Sequence, residues 1–254
     1  MEQPFERVVV ITGAASGIGA AIARQLAAPG TALMLHTRRN EAGLNALVPE
    51  CAAKGAATAT FLGDLADPEI PAKLIDATRH RFGQVDQIVS NAGKAQQNRF
   101  GSLKAGDLHN AFETMPVAFF RLVDAALPDL ERSNWGRVLA ISSFVAHLFG
   151  TNGLHFPASS AAKAALEALA KSLAAQLAPR GVTVNCIAPG FTRKDAAGHA
   201  ATSRKVMDSA VDVTPTGRLA EPADIAAAAA FLLAREARQI TGQVLHVDGG
   251  LMLP

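Results

Sequence analysis

Short runs rich in β-branched and other apolar residues alternate along the chain with longer segments whose apolar positions recur at helical spacing. The runs RVVVIT (7–12), TALMLHT (31–37), ATATFLG (57–63), QVDQIVSN (84–91), GRVLAISS (136–143), GVTVNCIAPG (181–190) and GQVLHVDGG (242–250) read as seven strands. Helices are expected from about Ile18 to Ala28, from about Glu41 to Lys54, and from near Pro68. A further helix runs through FPASSAAKAALEALAKSLA (156–174). Strand and helix in alternation imply an α/β fold, a doubly wound parallel sheet flanked by helices on both faces. In such a sheet a ligand sits at the carboxyl ends of the strands. No linker, repeat or low-complexity stretch interrupts the pattern, so one domain over 1–254 is expected.

Immediately after the first strand comes ITGAASGIGAAIA. Its glycines, Gly13, Gly17 and Gly19, let the backbone approach a pyrophosphate, and the following helix N-terminus offers N–H groups and partial positive charge. A tight strand-to-helix turn without a ligand has the same glycines, but the strand–turn–helix context favours a nucleotide. Composition narrows the partners. A net charge of +2 with 18% charged residues gives no reason to expect nucleic acid or an anionic membrane. The two cysteines, Cys51 and Cys186, and the seven scattered histidines have no metal-like spacing. They suit a reducing, cytoplasmic setting. The start MEQPFERVVVITG does not read as a signal peptide, and the longest apolar run (225–234) is too short for a bilayer.

TGAASGIG resembles the cofactor loop of the short-chain dehydrogenase/reductase family. The resemblance continues, in order, through SNAG (90–93), ISS (141–143), AAKAALEALAKSLAAQLAPRGVTVNCIAPG, GRLAEPADIAAAAAFLLA and ITGQVLHVDGG. It implies a single Rossmann-type domain with a seven-stranded parallel sheet, assembled as a homo-oligomer (dimer or tetramer), acting on a small molecule with a nicotinamide cofactor. Gly13, Ser16, Gly17, Ile18 and Gly19 would hold the pyrophosphate. Asp64 and Leu65 would meet the adenine, and Asn91, Ala92 and Gly93 would lie along the ribose. Pro189, Gly190 and Thr192 would stand beside the carboxamide, although Lys194 replaces a threonine common in that loop. An acid after the second strand would bind the ribose 2′-hydroxyl. Here Thr37 takes that place and Arg38 and Arg39 follow, which favours the 2′-phosphate of NADP(H) over NAD(H).

The family's catalytic set is a serine, a tyrosine, a lysine and an asparagine. The tyrosine exchanges a proton with the substrate oxygen, the lysine lowers its pKa from about 10, and the serine holds the oxygen. By this resemblance Lys163 is the lysine and Ser143 the serine, with Ser142 the near alternative. The chain contains no tyrosine, and Ser159 stands four residues before Lys163. Met115 falls in the asparagine's place, and Pro116 beside it should kink the helix. The loop FVAHLFGTNGLHFPA (144–158) is longer than the family norm and contains two histidines, His147 and His155. His155 is the candidate substitute acid, and a water held by Ser159 and Lys163 is the other option. Dienoyl-thioester reductases of the same family also carry serine at the tyrosine's place. The expected activity is reduction of a carbonyl or activated alkene; the alternatives are a non-catalytic cofactor-binding subunit or sensor, and a lyase or hydratase. The polar segment from about Lys194 to Val213 would border the substrate.

Overall fold

A computed structural model describes residues 5–193 and 209–253. Seven parallel strands form one sheet in the order β3-β2-β1-β4-β5-β6-β7. They are β1 (Arg7–Thr12), β2 (Thr31–Thr37), β3 (Ala57–Leu62), β4 (Gln87–Ser90), β5 (Arg137–Ile141), β6 (Thr183–Pro189) and β7 (Val244–Val247). The helices used below are α1 (Gly17–Leu26), α2 (Glu41–Ala53), α3 (Ile70–Phe82), α4 (Ala105–Phe112), α5 (Ala118–Arg132), α6 (Pro157–Leu177) and α7 (Pro222–Leu233). The doubly wound parallel sheet expected from the strand–helix alternation is therefore observed, as is the seven-stranded Rossmann-type architecture that the family resemblance implies.

The two-residue period of the strands builds two cores. Val8 and Val10 of β1 face a layer with Leu74 of α3, Leu122 of α5 and Leu166 of α6. Val9 and Ile11 face the opposite layer, with Ile22 of α1, Leu44 of α2 and Ile225 of α7. Every residue of β2 and of β6 is buried, while the edge strands β3 and β7 are mostly half-exposed. Strand order reverses between β1, paired to β2 on one side, and β4 on the other. That reversal opens a crevice at the carboxyl edge.

Two differences from the sequence pattern have local causes. The third helix starts at Ile70 rather than near Pro68, because the Asp67 carboxylate accepts from the Glu69 N–H and a turn closes there first. The kink expected at Pro116 is a five-residue π-helical stretch, Glu113–Val117, between α4 and α5. Proline offers no N–H to the preceding turn, and the wider ring closes instead from the Ala118 N–H to the Glu113 carbonyl.

At the opposite edge of the sheet one buried carboxylate ties three strands' beginnings together. Asp86 accepts from the Val8 N–H at 2.7 Å, the Gln84 amide at 2.7 Å and the Ser133 hydroxyl at 2.6 Å. Its backbone bonds Val8 on one side and Arg137 on the other. Removing the carboxylate leaves the buried Val8 N–H without its acceptor. Asp86→Ala is expected to lower the unfolding free energy by about 2–3 kcal/mol in urea titration, with Asp86→Asn intermediate.

Candidate active site

The crevice at the strand-order reversal is an open cleft of about 490 Å³. One end is the glycine loop. Gly13 (φ +66°) and Gly17 (φ +55°) adopt left-handed backbone, and a Cβ on Gly19 would lie 2.2 Å from the Gly13 carbonyl oxygen. The loop is laced to β4. The Thr12 hydroxyl accepts from the Asn91 and Ala92 N–H groups at 2.9 and 3.0 Å, and the Asn91 amide donates to the Thr12 and Gly13 carbonyls at 2.9 and 3.1 Å. Ser16 precedes α1 without capping it through its side chain, and no acidic residue occupies the first turn. The first turn of the helix thus turns its positive end toward the cleft with no acid of its own, and glycine backbone lies beside it. This is a cradle suited to a pyrophosphate.

The floor and far wall come from β4, β5, β6 and α6. Asn91, Ala92, Gly93, Ser143, Ser159, Lys163, Pro189, Gly190 and Thr192 all line the same cleft as Gly13, Ser16, Gly17 and Ile18. Lys163 projects from α6 toward the end of β5, where its ammonium donates to the Ile141 carbonyl at 2.5 Å. Burial of that ammonium lowers its pKa from 10.5 to about 8, and Glu167 one turn further along α6 opposes the shift. Ser143 caps the short turn 144–146, its hydroxyl accepting from the Val145 N–H at 3.4 Å. Gly190 is backed by Asp248, so closely that a Cβ would fall 2.7 Å from the Asp248 Cα.

These features coincide with a family model described as enoyl-(acyl carrier protein) reductase, which matches residues 13–252. The chain belongs to the short-chain dehydrogenase/reductase family. It is 36% identical to the 3-oxoacyl-[acyl-carrier-protein] reductase of Escherichia coli (strain K12) over 248 residues, covering 97% of this chain and 98% of the relative. It is 37% identical to an uncharacterized oxidoreductase of Mycobacterium tuberculosis, covering 98% and 93%. Among solved structures, a dehydrogenase/reductase from Sinorhizobium meliloti superposes with a TM-score of 0.88 at 31% identity, covering 98% of this chain and 96% of that one. A short chain dehydrogenase from Burkholderia cenocepacia, in complex with NADP, gives 0.86 at 29% identity, covering 98% and 99%.

Arg38, Arg39, Asp64, Leu65 and His155 lie outside the lining of the cleft, whereas Ser159 and Met115 are part of it. Arg38 and Arg39 are exposed just past β2, between the lining residues Thr37 and Asn40, and Arg38 lies 3.6 Å from Asp64. Leu65 is buried in the core against α3. His155 is exposed and faces a second, smaller concavity, whereas its neighbours Leu154 and Phe156 line the cleft. The structure therefore does not bring His155 to Lys163. Ser159 is buried, and its hydroxyl accepts from the Gln96 N–H at 3.0 Å. Met115 is buried between α6 and the Gly93 backbone: a Cβ on Gly93 would lie 3.3 Å from Met115 and 3.4 Å from the Lys163 ammonium. Of the expected substrate loop, 194–208 lies outside the described residues.

Sequence reading passed over three residues. Thr12 braces the glycine loop. Glu167 is a buried carboxylate that accepts from the Ser142 hydroxyl and lies 3.0 Å from His147 Nε2. Lys94, directly after SNAG, lines the cleft. Their signals were a threonine ending β1, an acid one helical turn after Lys163, and a charge in an otherwise apolar-flanked motif.

Because burial depresses Lys163, its charge works against the fold. Below pH 8 folded and unfolded chains both hold the proton, and the burden is complete; between about 8 and 10.5 the unfolded chain binds more proton, so stability rises with pH. Relative to Lys163→Met, the wild-type unfolding free energy should increase by on the order of 2–3 kcal/mol from pH 7 to pH 10.5. Urea titrations of both proteins across that range check this.

Proposed function

We propose that the protein is an NADP(H)-dependent reductase of a carbonyl or an activated alkene. The observation that carries this reading is the meeting, in one cleft, of the glycine cradle with Lys163 and Ser143. Bound NADPH supplies the hydride. The glycine loop and the α1 N-terminus hold its pyrophosphate, Arg38 and Arg39 grip the 2′-phosphate, and the Lys163 ammonium bonds the ribose. Asp64, Leu65, Asn91, Ala92 and Gly93 frame the adenosine side, while Pro189, Gly190 and Thr192 border the nicotinamide. Ser143 turns its hydroxyl to the substrate oxygen as charge develops there.

Ser159 stands where the family has tyrosine, and Met115 where it has asparagine. A serine side chain is one ring shorter than tyrosine and is already bonded to the Gln96 N–H, so it does not reach a substrate oxygen as tyrosine would. That bond also favours the second reading, a cofactor-binding subunit without turnover. An activated alkene reconciles the two facts best, since the enolate it forms spreads the charge that a proton donor would otherwise meet. We place the protein in the cytoplasm as a homo-oligomer; among the described residues no helix is long and apolar enough to cross a membrane. Phe120 on α5 and Leu169 on α6 are exposed apolar side chains that a second copy would cover.

Titration with NADPH and NADH tests the reading. NADPH is expected to bind at least about tenfold more tightly, and Arg38→Ala or Arg39→Ala to narrow the gap. Binding of neither cofactor overturns the proposal. Binding without oxidation of NADPH across a panel of enones and ketones selects the non-catalytic reading.

A further inference from the structure

Among the described residues, the lining of the cleft includes three cationic residues, Lys94, Lys163 and Arg193, and no carboxylate. Two of the three are engaged. Arg193 pairs with Glu221 at 3.1 Å, and the Lys163 ammonium is bonded to the Ile141 carbonyl. Lys94 has no hydrogen-bond or ion-pair partner among the described residues. Lys94 is exposed and lines the cleft next to Gly93, whose backbone lies close to the Lys163 ammonium.

The segment that carries Lys94 is held in place. The Gln96 N–H donates to the Ser159 hydroxyl at 3.0 Å, and the Gln96 amide to Asp107 at 3.2 Å. The Asn98 N–H donates to the His155 carbonyl at 3.0 Å, and the Asn98 amide to Asp107 at 3.4 Å. Ser159 is the innermost of these tethers. Its short side chain lets the Gln96 peptide come down onto α6, two residues from Lys94. The residue that cannot serve as a long-armed acid thus helps hold the segment that carries a cation. Much of the rest of the lining is apolar: the Phe144 and Phe191 rings pack at a tilt with centroids 4.6 Å apart, Leu154 and Phe156 belong to the same cluster, and Met115 lines the same cleft.

A lysine without a partner among the described residues, in a cleft whose described lining is otherwise largely apolar and has no acid, complements one chemistry. We propose that Lys94 is the substrate-anchoring cation, and that the substrate combines an apolar body with a carboxylate near its reacting carbonyl or alkene. This rests on the reductase reading and names the substrate class of the same cleft.

The test is calorimetric binding to the NADP⁺-loaded protein. The probes are 4-oxo-4-phenylbutanoate, 3-benzoylacrylate and the methyl ester of each. The acids are expected to bind at least about tenfold more tightly than their esters, a preference that Lys94→Met abolishes and Lys94→Arg largely keeps. NADPH affinity should be the same in wild type and Lys94→Met. Equal binding of acid and ester by the wild type, or no carboxylate binding to protein that holds NADP⁺, overturns the assignment while leaving the reductase reading in place. A loss of NADPH affinity in Lys94→Met also overturns it, making Lys94 a cofactor cation. Failure of the wild type to bind NADP⁺ or NADPH sinks the reductase reading on which the assignment stands.

Discussion

The site depends on the lacing of β1 to β4 at the point where strand order reverses. Two parallel strands that send their helices to opposite faces must part at their carboxyl ends, and the gap would close or fray without a strut. The Thr12 hydroxyl and the Asn91 amide provide that strut, with four bonds between Thr12 and Gly13 on one side and Asn91 and Ala92 on the other. They also use the backbone groups of the glycine loop that face inward, so the open side of the loop is the side a ligand meets. Gly19 follows from the same constraint, since the helix must start against the Gly13 carbonyl.

Around that strut the cleft divides by chemistry. The glycine-loop end offers backbone and a helix dipole, which suit a phosphate-bearing molecule. The α6 end offers hydroxyls, ammonium groups and an aromatic wall. Lys163 sits between them at an energetic cost, with its charge enclosed and its pKa drawn down toward neutrality. A group held at such a cost is one that folding alone does not favour, and it marks the place where stability and ligand binding pull in opposite directions.

Much of this was legible in the sequence. Strand period and glycine spacing are local patterns that specify a backbone shape with few alternatives, so the sheet and the loop at Gly13 could be read directly; Ser143, Lys163 and Gly190 were read from the resemblance to the short-chain dehydrogenase/reductase family. What escaped were relations across the fold. His155 looked apt because it lies four residues before Ser159, but it precedes α6: Leu154 and Phe156 line both the cleft and the second concavity, while His155 lines only the second. Ser159 read as a loss, because nothing in the linear sequence shows that a peptide from the segment after β4 would come to rest on it. Glu167 drew no notice because its role depends on Ser142 and His147, which only the fold brings to it.

The π-helical stretch before α5 has a geometric effect beyond accommodating Pro116. One extra residue in a turn advances the phase of everything that follows by about 100°. Met115 faces α6 and the cleft, while Phe119, Leu122 and Ala126 face the sheet. The two stripes belong to one nearly continuous rod, and a regular α-helix would not keep both in register. The bulge works as a rotational coupling that lets one half of the rod answer to the active site and the other to the core. Drift in the sequence on either side can then proceed without the two demands colliding.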